Sequence, residues 1–288
     1  MEPYTGTWQV GDVKITRLVE LELGGIEFIL PQASPETLLP IDWLSPHFIS
    51  EEGTLLASIH ALVVETPSHK VVVDTCIGND KDRPLPAWTN LQLPFLQDLA
   101  AAGYPAGDID TVLCTHLHVD HVGWNTMRVD GEWVPTFPNA RYLLARAEYE
   151  YWDTTEPDAI NVGVMDDSVR PVFAAGLVDL VETDHEVCDE IRLIPTHGHT
   201  PGHVSVEISS AGRRALITGD AFHHPCQMAH ADWASSVDSD QAASTATRRE
   251  MLAAYADTDV LVIGTHFATP TAGRIRSDGR TGYRFEVE

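Results

Sequence analysis

The chain has 288 residues, 43% of them hydrophobic, enough to bury a large core as a single domain over 1–288. Eighteen basic against 43 acidic residues leave a formal charge of -25, which repels polyanions and excludes nucleic acid and anionic membrane surfaces as partners. No apolar run is long enough to span a bilayer, residues 1–6 carry neither a basic nor an apolar leader region, and Cys76, Cys114, Cys188 and Cys226 lack C-x-x-C spacing. These features predict reduced thiols and a cytoplasmic location.

Residues 8–23 alternate apolar and polar side chains through Val13, Ile15 and Leu18, the pattern of a strand or hairpin. From about 24 to 52 the chain is an insertion that is loop-rich yet apolar, with Pro31, Pro35, Pro40 and Pro46 among Ile26, Phe28, Leu30, Trp43, Leu44 and Phe48. Such a loop packs on the core, covers a pocket or meets a second copy of the chain, and the last of these predicts a homodimer. Residues 59–65 and 70–75 read as strands joined at Thr66-Pro67-Ser68-His69, with His60 and His69 as ordinary strand and turn residues. The turn-rich run 77–83 carries charges expected in solvent. Helical spacing at Leu93, Leu96, Leu99 and Ala100 ends at Gly103 and leads into a buried strand over 110–114.

Beyond residue 121, Gly123-Trp124-Asn125 and Trp133-Val134-Pro135 bracket a hairpin, 141–145 is a strand, and a helix begins at Glu148. Residues 153–169 are acidic and irregular, 169–175 helical, and 177–181 and 190–194 strands. Further strands follow at 204–208 and 214–218, then an amphipathic helix over 240–255 with Thr247-Arg248-Arg249 on its solvated face. A buried strand at 259–264 is the last element predicted.

The strand at 110–114 runs directly into Thr115-His116-Leu117-His118-Val119-Asp120-His121, an H-x-H-x-D-H pattern. Residues two apart on a strand share a face, so His116 and His118 project together. A loop just past the strand end can turn Asp120 and His121 back to the same point. Imidazoles and a carboxylate crowded like this repel or lack partners unless a cation lies among them, and this donor set suits zinc.

The motif resembles that of the metallo-β-lactamase-fold hydrolases, and within them the lactonase and organophosphate hydrolase branch. The resemblance implies an α/β fold, a four-layer αββα sandwich, carrying two Zn2+ ions, with other divalent metals possible. It places His116, His118 and His203 on one metal and Asp120, His121 and His266 on the other, with Asp220 shared. Asp220 follows the strand at 214–218, and His266 follows the last strand in Thr265-His266-Phe267. In Pro195-Thr196-His197-Gly198-His199-Thr200-Pro201-Gly202-His203 three histidines compete. The family's Gly-His-Thr-Pro-Gly-His element, read with its Pro-Gly turn before a strand, gives the ligand role to His203. It leaves His199 behind the ligands, and His197 stands where the family commonly has Pro. Asp74, in the Val-Asp-Thr element, is also expected to support the ligands from behind.

The implied activity is a dinuclear zinc-dependent hydrolase that uses a metal-bound hydroxide to open a lactone or cleave a related carboxylic ester, with Asp120 and Asp220 managing the proton. Related lactonases carry Tyr at the position of His223 while organophosphate hydrolases tolerate His, so His223 is either a donor to the oxyanion or a loop residue. A phosphotriester hydrolase and a β-lactamase-like amide hydrolase are the alternatives. An iron redox protein of the same fold would carry Glu at His118 and a flavodoxin domain for which no residues remain. A catalytically dead binding scaffold would have no need of the complete ligand set. Trp43, Phe48, Trp88, Trp124, Phe222 and Phe267 are candidate pocket walls. Only Lys81, Arg83 and Arg128 are cationic near the ligands in sequence, so the expected partner is a small uncharged substrate.

Overall fold

The computed structural model describes residues 6–280 and 282–287, so the leader-region reading at 1–5 lies outside it. The chain divides into two compact units, Met1–Glu20 with Ile59–Thr183, and Leu21–Ser58 with Asp184–Glu288.

The first unit is built on a mixed sheet of β1 (Thr7–Val10), β2 (Val13–Gly24), β3 (Leu56–Glu65), β4 (Lys70–Val73), β5 (Thr111–Leu113), β8 (Arg141–Ala145) and β9 (Val178–Val181), in the order β1-β2-β3-β4-β5-β8-β9. A separate ribbon pairs β6 (Thr126–Val129) with β7 (Glu132–Pro135). Helices α1 (Phe95–Ala101) and α2 (Arg146–Thr154) accompany it. The strands β4, β5 and β8 are parallel, with Val73 opposite Leu113 and Leu113 opposite Leu143. They therefore end level, and whatever follows each emerges at one edge, the carboxyl edge at which open α/β sheets bind ligands. Asp74 and the His116–His121 loop emerge there, tied by the Asp74 amide donating to the Leu113 carbonyl at 2.9 Å.

The second unit is built on β10 (Glu186–Cys188), β11 (Ile191–Pro195), β12 (Val204–Ser210), β13 (Arg213–Ile217), β14 (Leu261–Ile263), β15 (Ala272–Asp278) and β16 (Gly282–Val287), hydrogen-bonded in that order. Only β13 and β14 run parallel among these neighbours, with Ile217 opposite Ile263. The same argument applies here: Asp220 and His266 leave the sheet at one edge. Helix α3 (Gln241–Tyr255) is capped by Asp240, whose side chain accepts from the amides of Ala242 and Ala243 at 3.0 and 2.9 Å. It buries Ser244, Arg248, Met251 and Leu252, one stripe of a 3.6-residue period.

The loop-rich segment at 24–52 joins the core of this second unit. Leu30, Leu38, Leu44 and Phe48 are fully buried and share one apolar cluster with Leu216, Phe222, Leu252 and Phe267. Much of its apolar side-chain surface is therefore packed within this unit, while Phe28 and Leu39 stay exposed.

Two other expectations are corrected. Lys81 and Arg83 are buried rather than solvated: Arg83 forks onto the Asp167 carboxylate at 2.6 and 2.8 Å. Lys81 donates to Thr126 Oγ1 at 2.8 Å and lies 3.9 Å from the Trp133 ring centroid, and burial pulls its pKa down to about 8. Arg248, placed on a solvated face by sequence, is also fully buried. Among the described residues no helix is long and apolar enough to cross a membrane.

Candidate metal centre

In the first unit the motif loop is clamped through the residues between its ligands. The Leu117 amide donates to Glu148 Oε1 at 3.1 Å and the Val119 amide to Asn161 Oδ1 at 2.9 Å, while the His121 carbonyl accepts from the Thr75 amide at 2.7 Å. Neither Glu148 nor Asn161 stands out in the sequence, because each lies 31 or more residues from its partner.

Asp74 sits at the centre of this arrangement. It adopts a left-handed backbone, φ 56, unusual for a residue other than glycine, and is buried at the sheet edge. Its Oδ1 accepts from the Thr115 amide at 2.8 Å and its Oδ2 from the Thr115 hydroxyl at 2.9 Å. His121 Nδ1 lies 2.9 Å from the same Oδ2. An ionised carboxylate only accepts, so Nδ1 of His121 carries the proton and its lone pair is on Nε2. The Thr115 hydroxyl, having donated to Asp74, can accept from His116 Nδ1 at 3.1 Å, which sets the same tautomer there. Asp120 Oδ1 then lies 3.6 Å from His121 Nε2. Asp74 thus holds two imidazoles with Nε2 ready to coordinate. Replacing it by Asn should weaken metal binding about 10- to 100-fold, the usual cost of losing an orienting partner, as read by chelator competition. Affinity unchanged within twofold would contradict this role.

In the second unit the carboxylate of Asp220 is approached by three imidazoles. His266 Nε2 lies 3.2 Å from Oδ1, and His199 Nε2 and His223 Nε2 lie 3.5 and 3.4 Å from Oδ2. His266 Nδ1 faces the Ser58 carbonyl at 3.1 Å and His199 Nδ1 faces Asp238 Oδ1 at 2.9 Å, so in both rings the lone pair is on the Nε2 turned toward Asp220. Acceptor facing acceptor is repulsive until a cation is shared between them. The donor set, imidazole nitrogen with a two-oxygen carboxylate, fits a divalent metal.

His203 is placed differently from the sequence reading. Its Nε2 accepts from the Asp220 amide at 2.8 Å, and its Nδ1 lies 2.9 Å from the Thr196 carbonyl. The lone pair that would bind a metal is spent on a peptide N–H. Gly219 permits this approach: its φ is +53 and a Cβ there would fall 2.5 Å from His203 Nε2. His203 therefore positions Asp220, and His199, expected behind the ligands, is the histidine of this element whose Nε2 faces the carboxylate.

His223 is buried, and among the described residues neither of its ring nitrogens finds a hydrogen-bond partner. Burial pushes its pKa down to about 3 against the pull of Asp220, so the ring is neutral and holds one N–H to donate. The aromatic candidates fare less well. Phe48, Phe222 and Phe267 are fully buried in the apolar core of their unit. Trp124 is buried too, donating to Glu20 Oε1 at 2.7 Å and stacked on Phe95 at 5.3 Å. Trp43 and Trp88 stay half-exposed, Trp43 against the second unit's core. Glu20, which sequence reading passes over, also accepts from the amides of Ile77 and Gly78 at 2.8 and 3.1 Å. Burial raises its pKa to about 7.

The sequence matches the Metallo-beta-lactamase superfamily over residues 56–273. It is 31% identical over 127 residues to an N-acyl homoserine lactonase of a Bacillus species, covering 43% of each chain. It is 29% identical over 182 residues to a "probable metallo-hydrolase" of Mycobacterium tuberculosis, covering 57% of each. The chain thus spans about half the length of the curated relatives it matches. Among solved structures, AidC, a dizinc quorum-quenching lactonase in complex with a product, superposes with a TM-score of 0.83 at 20% identity over 100% of this chain and 99% of its own. The hydrolase AbOPH gives 0.81 at 25% identity over 100% and 98%.

The chain belongs to the metallo-β-lactamase superfamily, with that superfamily's fold of two mixed sheets flanked by helices. Among the described residues it carries groups of His and Asp side chains that could hold a metal ion.

Proposed function

We propose that the chain is a dinuclear, zinc-dependent hydrolase of lactones or related carboxylic esters, acting as one hydrolase domain. The ligands it offers are His116, His118, Asp120 and His121 of the first unit and His199, Asp220 and His266 of the second, with Asp220 the shared carboxylate. The observation that carries this reading is the Asp220 carboxylate, with three imidazole Nε2 atoms within 3.5 Å of its oxygens. Two divalent ions bound there would supply a Lewis acid for the substrate oxygen and lower the pKa of the attacking water toward neutrality.

The protein's own groups do the rest. Asp120 and Asp220 can take the proton of the attacking water and return it to the leaving group. His223, neutral and buried, can donate its single N–H to the oxygen on which charge develops. The N-acyl homoserine lactonases among the relatives favour a lactone. The scarcity of cations favours an uncharged electrophile: Lys81 and Arg83 are engaged with Asp167, so neither is available to hold an anionic substrate. A phosphotriester is the second reading, favoured by the whole-chain similarity to AbOPH and by His at position 223.

The test is kcat/KM on a long-chain acyl lactone, an aryl ester, a phosphotriester, a β-lactam and a phosphodiester. The lactone or ester should rank first, the phosphotriester next and the phosphodiester last. A phosphodiester in first place would contradict the proposal, and a phosphotriester in first place would select the second reading.

A further inference from the structure

His199 stands on an assembly that the sequence does not announce. The loop carrying it lies against the start of α3. The amides of Ser239 and Asp240 donate to the carbonyls of His199 and Gly198 at 2.8 and 2.9 Å, and the Thr247 hydroxyl donates to the His197 carbonyl at 2.6 Å. Contact is so close at Gly198, φ +127, that a Cβ there would fall 2.1 Å from the Ser244 amide nitrogen. The backbone of the ligand loop is therefore bolted to the first turns of the helix.

The side chains continue the connection. Asp238 presents Oδ1 to His199 Nδ1 at 2.9 Å, while Oδ2 accepts from the Ser235 amide at 2.9 Å and the Ser244 hydroxyl at 2.7 Å. Arg248 Nη1 lies 3.6 Å from that Oδ2 and donates to Ser244 Oγ at 2.5 Å. The side chains of Asp238 and Arg248 are both fully buried. Arg248 also donates to the Ala231 carbonyl at 3.1 Å and to the Ala221 carbonyl at 3.4 Å, the latter belonging to the residue after Asp220. A buried carboxylate with acceptor-only oxygens thus faces donors on every side, and one buried guanidinium balances its charge. Such a pair is costly to break, because either partner alone would be an uncompensated charge.

We propose that Asp238, charge-balanced by Arg248, is the positioning residue of His199, fixing its proton on Nδ1 and so turning the Nε2 lone pair toward Asp220. Through the Ala221 carbonyl the same Arg248 steadies the loop that carries Asp220, so one cation on α3 serves two ligand-bearing loops. The inference rests on the metal-site reading above only where metal affinity is measured; the tautomer is a property of the metal-free chain.

The substitution Asp238→Asn keeps the shape and removes the charge. All the neighbours of Asp238 are donors, so the Asn amide must point its N–H2 at one of them. Facing His199, it forces the ring proton to Nε2; in either orientation the buried Arg248 is left without its counter-charge, and an N–H2 turned toward it adds donor against donor. Histidine ring 15N shifts in the metal-free protein read the tautomer, and competition with a chromophoric chelator for Zn2+ reads affinity. The wild type should show the Nδ1–H form at His199, and the variant should lose it and bind one Zn2+ about 10- to 100-fold more weakly. Ser244→Ala, milder for folding, should weaken the same ion several-fold, and it decides the matter if Asp238→Asn does not fold. A residue that merely stabilised the fold would lower Tm and leave both readouts alone. An unchanged tautomer with Zn2+ affinity within twofold of wild type, in whichever variant folds, would overturn the proposal. A wild type that bound no Zn2+ would remove the metal-site reading, and the tautomer would still decide the role of Asp238.

Discussion

Replacing Asp220 by Ala should strip the protein of bound metal and of hydrolysis together. The carboxylate is buried, with the His266 Nε2 lone pair turned to one oxygen and that of His199, beside the neutral His223 ring, turned to the other. Removing it leaves neither ion a shared anionic ligand and leaves three imidazoles crowded without a counter-charge. Metal content measured after exhaustive buffer exchange should fall from near two per chain to below one. The Lewis-acid contribution is worth several kcal/mol, so kcat/KM should fall by about 10³-fold or more. Full occupancy with normal turnover in the Asp220→Ala protein would contradict the shared-ligand assignment.

The second large effect separates the two histidines of the Gly-His-Thr-Pro-Gly-His element. His199→Ala should cost about one metal per chain and lower kcat/KM by a similar order, about 10³-fold. His203→Ala removes a buried ring and leaves the Asp220 amide without its acceptor, so its main effect should be on stability, about 2–4 kcal/mol. It should still reach two metals per chain when metal is supplied in excess. Parallel measurement of metal content and Tm distinguishes them. The opposite ranking, with His203→Ala losing metal and His199→Ala only melting earlier, would restore the assignment that the sequence suggests.

That pair also marks where sequence reading stops. The H-x-H-x-D-H loop is legible from its donor chemistry, and because Asp74, Asp220 and His266 each follow a strand; strand periodicity does not carry it, since the strand ends at Leu113 and His116 and His118 lie in the loop beyond. His199 and His203 sit in nearly identical local contexts, and what distinguishes them lies elsewhere in the chain: Asp238 for one, the Asp220 amide for the other. Arg248 and Lys81 mislead for the same reason. A charged residue in a polar stretch is usually solvated, and the partners that bury these two, Asp238 and Asp167, are 10 and 86 residues away. The aromatic side chains nearest the ligands in sequence, Trp124, Phe222 and Phe267, are buried, which no local pattern encodes. The hairpin of β15 and β16 escapes a sequence reading because its strand Ala-Gly-Arg-Ile-Arg-Ser-Asp lacks apolar alternation; it is held partly by the Arg276–Glu286 pair at 2.9 Å.

The fold is the better-encoded half of the problem. Apolar runs at Val63, Val64, Val71, Val72, Val112 and Leu113 form the buried parallel and antiparallel core of the first sheet, where continuous hydrophobicity is the mark of strands covered on both faces. The segment at 24–52 is intermediate. Its apolar character is plain from the residues, and its destination, the second unit's core around Phe48, Phe267 and Phe285, depends on residues more than two hundred positions away.

The most direct test of the central claim is the metal content of the purified wild-type chain by plasma mass spectrometry, followed by chelation and stepwise return of Zn2+ with hydrolysis of the best lactone or ester measured at each step. Close to two metals per chain are expected, with activity lost on chelation and restored as the second equivalent is added. A chain that takes up no metal from excess Zn2+, or one whose hydrolysis survives complete chelation, would contradict the account.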